Sequence, residues 1–471
     1  MAVFFLRPAR LEELLIYMAV FEAAAVVNLG GGFSVGLSPY FFTASLLAIR
    51  IGAKWNNGRI RFKRGEFTQN HLQIAAIFIL WCVISAFVLP VLFEGTPVDS
   101  PRAGVENVSY MEPPPLKWTF SNAGQAGYMV LNFFALLALA DFCTSRPLNA
   151  LMDAFSYSGG IVALIGLYQM MTFHTGLPFP SSFLNSNGTY GQNYSQRIGN
   201  GWHRVSSTFV EPSSAGAFLS CWVVFELLLS SWGAAHRTRH GIFTLLGGVV
   251  LLATTATTGY VTIGLVMAFI GGRLAVEVVG RGRIPIRISL TVAAIAMVAL
   301  GFFTLGHGSG LLNDILWKKA NSASGVGRWG TVRHALVVLQ DTYGLGAGLG
   351  SNRAFGALAY IGSNLGVFGL IVFSYMQAQL LSKSISIFCF HRTSLTDRVA
   401  IIACVGAFLT NLIAAMVSGA EISSPRMWLL WGMLLASLRT QYNISALRGP
   451  NGLLRVAEQD AFAEASSVFR P

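Results

Sequence analysis

Residues 71–93, HLQIAAIFILWCVISAFVLPVLF, contain no Asp, Glu, Lys or Arg. A helix needs about 20 apolar residues to cross the hydrocarbon core of a bilayer, and this run has the length and the composition. Comparable runs recur at 11–29, 33–50, 121–142, 150–173, 209–233, 241–257, 259–277, 288–306, 355–381, 399–418 and 425–441, with the boundary after Thr258 set only by a Gly-Tyr break. The expected fold is therefore all-α: a polytopic integral membrane protein of about twelve transmembrane helices. Residues 1–441 form a single membrane domain with a large external loop holding short amphipathic helices, and 442–471 form a polar cytoplasmic tail.

The composition agrees. Of 471 residues 54% are hydrophobic and 11% charged, and the mean hydropathy is +0.58, whereas soluble domains carry roughly 25% charged residues. The net charge of +12 invites a nucleic-acid reading. Most of the basic residues, however, lie in short loops between apolar runs, where the positive-inside rule puts them, so no nucleic-acid partner is expected. With the N-terminus inside, cytoplasmic segments hold 22 of the 32 Lys and Arg; the opposite orientation inverts that bias. Both termini are expected in the cytoplasm. The five cysteines show no C-x-x-C or zinc spacing, so neither disulfides nor a metal site is implied. Ala23-Ala24-Ala25 resembles a signal-peptide cleavage site, but Glu22 before it and the even span count favour an uncleaved first helix.

One external loop breaks the charge rule. Residues 307–354 hold Lys318, Lys319, Arg328, Arg333 and Arg353 against Asp314 and Asp341. Cations placed there oppose the orientation signal, which points to an anion site at the membrane surface. Arginine's planar fork suits phosphate oxygens in bidentate fashion. As a helix, 328–341 puts Trp329, Val332, Leu336 and Leu339 on one face with Arg333 at its flank, and His334 and Asp341 on the other side. Such a helix lies in the interface plane with its cations at phosphate depth. GLGAGLGS (344–351) lacks the lysine of a nucleotide loop and no strand precedes it; it is read as a flexible connector that lets Arg353 reach the next span.

A second constellation is WHRVSSTFVEPSSAG, 202–216. Arg204 stands just outside a span and Glu211 at its first turn, before Pro212. A carboxylate at membrane depth is costly and a candidate functional group, although a helix start also favours an acidic side chain. Upstream, in the external segment 174–208, Tyr190, Tyr194 and Trp202 stand among asparagines. Planar aromatics and amides suit sugar faces and hydroxyls. Glu421 and Arg426, before the last span, read as a structural pair.

R-x-x-S-x-F-x-E-P-S at 204–213 resembles the R-x-x-G-x-F-x-x-P-N signature of the O-antigen polymerase and ligase family (Wzy and WaaL types). TTATTGY at 254–260 stands where that family has a Ser/Thr-rich stretch, and GRW…GLGAGLGSNR…NLGVFGL resembles its large periplasmic loop and following helix, in the form of succinoglycan and xanthan polymerases. The likeness covers about residues 70–440. It implies a bacterial inner-membrane glycosyltransferase, metal-independent and without cofactor, acting at the periplasmic face. Its substrates, donor and acceptor, are oligosaccharides on undecaprenyl diphosphate. The anomeric carbon is attacked with inversion and the lipid diphosphate leaves. A chain-length or export co-polymerase is a further implied partner.

Under that resemblance Arg204, Arg328, Arg353 and Arg333 are the candidate diphosphate ligands. Ligases carry a His-Asn pair after the large loop, but this chain reads SNRAF at 351–355. A base, if one is needed, comes from elsewhere: Glu211 first, His334 second. The missing histidine favours polymerase over ligase. Outside the enzymes, twelve spans with both ends inside also suit a transporter or flippase of lipid-linked glycans.

Overall fold

The computed structural model describes residues 10–29, 35–58, 66–99, 113–143, 146–189, 196–198, 202–232, 236–264, 323–390, 395–418 and 422–447. Helices dominate them: α1 (Leu11–Met18), α2 (Pro39–Asn56), α3 (Phe67–Leu92), α4 (Phe120–Phe142), α5 (Leu148–Thr175), the single-turn α6 (Ser181–Leu184), α7 (Pro212–Trp232), α8 (Arg237–Ala253), α9 (Ala323–Asp341), α10 (Ala357–Phe390), α11 (Leu395–Val417) and α12 (Pro425–Leu447). Two antiparallel ribbons accompany them, β1 (Val27–Leu29) with β2 (Val35–Leu37) and β3 (Arg197–Ile198) with β4 (Trp202–His203).

Among the described residues six helices are long and apolar enough to cross a membrane: Phe67–Leu92, Phe120–Phe142, Leu148–Thr175, Pro212–Trp232, Ala357–Ser386 and Arg398–Val417. This is an all-α membrane protein. The expected span at 288–306 and most of the one at 259–277 lie outside the described residues.

Several boundaries differ from the sequence reading. The run 11–29 is not one helix, because α1 ends at Met18 and the chain continues through turns into β1. The second run starts later than read, since Val35–Leu37 pairs as β2 and Pro39 opens α2 at its first position, where a missing N–H costs nothing. The break expected after Thr258 falls at 254–256, where Thr255 takes a positive φ of 46°. α12 runs through to Leu447, past residue 442 where the polar tail is expected to begin.

The helices meet through small residues, as close approach between apolar helices requires. Trp222 of α7 is fully buried against Gly159 of α5 and Gly247 of α8, and its Nε1–H donates to the Ser156 carbonyl at 3.1 Å. A Cβ at Gly159 would come within 2.2 Å of that indole.

The two ends of the bundle treat charge differently. Where α2 and α4 end and α1, α3, α5 and α8 begin, charges are paired: Arg50 with Glu12, Lys54 with Asp141 (2.8 Å), Arg146 with Glu13 (2.6 Å), Arg239 with Asp153 (2.7 Å) and Arg439 with Glu66 (3.1 Å). The opposite end, where α4, α7, α10 and α12 begin, carries a cavity lined by charged side chains.

Candidate functional site

GLGAGLGS is not a flexible connector. Gly344, Gly346, Gly348 and Gly350 all take positive φ, and the intervening Ala347 and Leu349 are fully buried. The loop backbone docks onto a break in α10 at Gly366 (φ 70°, ψ −169°). Ala347 N–H donates to the Ser363 carbonyl at 2.7 Å, Gly348 N–H to that of Asn364 at 2.9 Å, and Val367 N–H to that of Gly344 at 2.8 Å. A Cβ at Gly348 would meet Pro90 and the Ser85 carbonyl at 2.6 Å. Alternating glycines thus let the loop lie flat against α3 and α10, backbone to backbone.

The docked loop fixes the direction of residues 351–353. Asn364 Oδ1 accepts from the N–H groups of Ser351 (3.1 Å) and Asn352 (3.0 Å), and Arg353 N–H donates to the Asp99 carbonyl at 2.9 Å. Arg353 and, from α9, Arg328 then stand against one ring, their guanidinium carbons 5.6 and 4.8 Å from the centroid of Phe355.

Between these arginines and the starts of α7 and α12 lies a cavity of about 330 Å³, a size that suits a small-molecule site. Arg328, Arg353, Arg426, Glu211 and Glu22 all line it. So do residues from the first turns of α4 (Ser121), α7 (Ser213), α10 (Tyr360) and α12 (Arg426). Four helix N-termini therefore converge here, each the positive end of a helix dipole. Arg426 sits in the first turn of α12, against that dipole. It is held there by Asn411 Oδ1 on its Nε (2.7 Å) and by the Ser214 carbonyl on its Nη1 (3.2 Å).

Three buried donors that line the cavity have no hydrogen-bond partner among the described residues: Arg328 Nε, Asn352 Nδ2 and Asn411 Nδ2. Both amide orientations are fixed, because Asn352 Oδ1 accepts from Asp99 N–H (2.8 Å) and Asn411 Oδ1 from Arg426. A buried donor left without a partner costs about 1–3 kcal/mol. The cavity therefore offers three donors and three cations to an acceptor-rich, anionic guest.

The chain matches no protein-family model and no curated protein.

The cavity gathers Glu211, Arg328 and Arg353 from the sequence-derived set, whereas Arg204, Arg333 and His334 lie elsewhere. Arg204 stands behind the wall: Nε donates to the Thr254 carbonyl (3.2 Å) and Thr255 Oγ1 (3.0 Å), and Nη1 to Gln196 Oε1 (3.1 Å). It clamps the threonine-rich turn that separates α8 from the helical residues 257–264. Burial pulls its pKa below the ordinary value, with Glu211 acting against that pull. Burial likewise lowers that of Arg328, opposed by Glu211 and assisted by Arg353.

Arg333 is exposed on the outer face of α9, beside the exposed Trp329 and Leu336. His334 is off the cavity. Its Nδ1 lies 3.1 Å from Asp99 Oδ2, an ion-pair approach without hydrogen-bond alignment, and the carboxylate raises its pKa. Tyr190 and Tyr194, and the side chain of Trp202, lie outside the described residues.

Four cavity residues were not read as site residues from the sequence. Glu22 carried a signal, a carboxylate inside an apolar run, and Arg426 another, a cation where a helix starts. Its supposed partner Glu421 lies outside the described residues. Asn352 and Asn411 carried none.

Proposed function

We propose that this chain is a polysaccharide polymerase of a bacterial inner membrane. It joins oligosaccharide repeat units carried on undecaprenyl diphosphate at the periplasmic face, by metal-independent inverting glycosyl transfer. Its ends lie in the cytoplasm and the cavity faces the periplasm.

One observation carries this reading: Arg328, Arg353 and Arg426 share a cavity with two carboxylates at the meeting point of four helix N-termini. A diphosphate leaving group gains negative charge as the anomeric bond breaks, and fixed donors aimed at that charge lower the barrier. Guanidinium groups supply charge-assisted bonds to phosphate oxygens. The unpartnered amides of Asn352 and Asn411 suit sugar hydroxyls or the remaining phosphate oxygens. Arg204 holds the wall rather than the ligand. The acceptor hydroxyl gives its proton to one of the two cavity carboxylates, Glu211 or Glu22. Tyr190, Tyr194 and Trp202 are proposed to contact the glycan, and Arg333 on the exposed face of α9 to meet lipid phosphates. The SNRAF sequence at 351–355 favours a polymerase over a ligase.

Purified protein given lipid-linked repeat units is expected to release undecaprenyl diphosphate and build a ladder of lengthening chains. Transfer in one block to a different acceptor would indicate a ligase. Movement of intact substrate across proteoliposomes, with none consumed, would overturn the enzymatic reading in favour of a transporter.

A further inference from the structure

The run 11–29 is long enough to cross a bilayer as one helix, yet α1 stops at Met18 and leaves Glu22 in a non-helical turn. The interruption is stitched in place. Thr208 Oγ1 donates to the Val20 carbonyl, and Ala23 N–H donates to the Thr208 carbonyl at 3.2 Å. Asn187 N–H donates to the Ala23 carbonyl at 3.0 Å, and Ala25 N–H to Ser186 Oγ at 3.1 Å. These bonds satisfy backbone groups that a continuous helix would have paired internally, as a membrane-embedded turn requires. They fasten both flanks of Glu22 to the segment that leads into Glu211, and they bring Glu22 to the cavity wall. A carboxylate among apolar helices is costly unless it meets polar partners, and the break delivers this one to them.

Glu211 is engaged differently. Its carbonyl caps α7 by accepting from Ala215 N–H at 3.1 Å, and its Oε2 accepts from Ser213 Oγ at 2.9 Å. Its charge acts on both Arg204 and Arg328. Tied through Ser213 to the first turn of α7, it is a positioning residue beside the cations that line the same cavity.

We infer that Glu22 is the catalytic base of this site, an inference that rests on the glycosyl-transfer reading. The acceptor O–H bond breaks and its proton passes to the Glu22 carboxylate. The oxygen's electron pair forms the new bond to the anomeric carbon. The bond from that carbon to the phosphate oxygen breaks, and its electron pair stays with the diphosphate, held by Arg328, Arg353 and Arg426. Glu22 then returns its proton to solvent. The charged and titratable groups that share the cavity with Glu22 are Glu211 from the start of α7, Arg328 from α9, Arg353 from the loop before α10, Tyr360 from α10 and Arg426 from α12. Guanidinium groups do not titrate near neutrality, so a rate that falls as pH is lowered reports one of the two carboxylates.

The test is turnover of lipid-linked repeat units by purified full-length protein across pH. In Glu22→Gln the rate constant is expected to fall about 10²–10⁴-fold, the usual range for lost general-base catalysis, with KM little changed and the acid limb of the profile gone. Glu211→Gln is expected to raise KM and keep the acid limb. Should Glu22→Gln fold poorly, Glu22→Asp keeps the carboxylate on a shorter stem and is expected to retain the limb at a reduced rate. Near-normal turnover by Glu22→Gln, or loss of the acid limb in Glu211→Gln alone, overturns the inference. A wild-type protein that consumes no substrate instead overturns the polymerase reading itself.

Discussion

Arg328 and Arg353 stand against the same aromatic ring, their guanidinium carbons 4.8 and 5.6 Å from the centroid of Phe355. Like charges this close repel, and Arg353 contributes to the lowering of the Arg328 pKa. Phe355 offsets part of that repulsion, at about 0.5–2 kcal/mol for each partly desolvated cation. An anion between them relieves the rest.

Replacing both arginines by alanine is expected to abolish polymer formation while the protein stays folded in the membrane. Lysine at either position should substitute poorly, since it binds as a point charge without the planar fork. Phe355→Leu keeps the charges and removes their common platform. It should raise KM about tenfold, equivalent to about 1.4 kcal/mol. Unchanged polymer yield and length in the double alanine variant would falsify the anion-site reading.

Tyr343, just after α9, is 88% exposed. Cysteine placed there is expected to react with a membrane-impermeant maleimide in cells whose outer membrane alone has been permeabilised. Of the native thiols, Cys82, Cys221 and Cys404 are buried, which keeps the background low. Labelling that needs inner-membrane lysis would invert the proposed topology.

His334 and Asp99 tie α9 to the connector after α3, 3.1 Å apart. The pair raises the histidine's folded-state pKa above its ordinary 6.5. Its stabilisation is therefore fully present below the unfolded value and lost as pH rises through the folded one. Asp99→Asn keeps the backbone bonds to Asn352 and Arg353 and removes only this charge. The wild-type advantage in Tm over that variant should shrink between about pH 6 and about pH 8, a window that spans the ordinary histidine pKa. A constant difference across that range would exclude the ion pair as its source.

Gly366 and Gly330 make opposite forecasts. A Cβ at Gly366 would meet the Gly344 carbonyl at 2.3 Å, in a backbone region with φ of 70°. The backbone region alone costs about 1–3 kcal/mol for other residues, and the collision adds to it, so Gly366→Ala should lower Tm sharply and reduce the amount of protein in the membrane. A Cβ at Gly330 in α9 meets nothing within 4 Å, and alanine there should stabilise by about 0.5–1 kcal/mol. Thermal unfolding in detergent checks both, and an unaffected Gly366→Ala would rule out the loop docking as a source of stability.

Much of the site could be read in advance because charge in an apolar chain is conspicuous. Arg328 and Arg353 stood out as cations in an external loop, and Glu211 as a carboxylate at a span start; the structure brings all three to one cavity. Arg204 stood out equally, yet it is spent on the carbonyl and hydroxyl groups of Thr254 and Thr255. His334 stood out as a second candidate base, and the structure places it off the cavity beside Asp99. Residue type signalled that each would be engaged, but not by what.

By itself the sequence determined the class: apolar runs of spanning length, few charges and a basic bias in alternate loops admit little besides a helical membrane protein, because lipid leaves backbone groups no other partners. It also determined which residues were costly enough to need a purpose. Where those residues meet was decided only by the tertiary structure. Glu22 and Glu211 are far apart in the chain, and Asn352 and Asn411 look like ordinary amides in any local window. A break in the first apolar run, a glycine loop docked on a second break in α10, and four converging helix starts bring them to one cavity. Each of these depends on backbone bonds between segments distant in sequence, and no local pattern records such bonds.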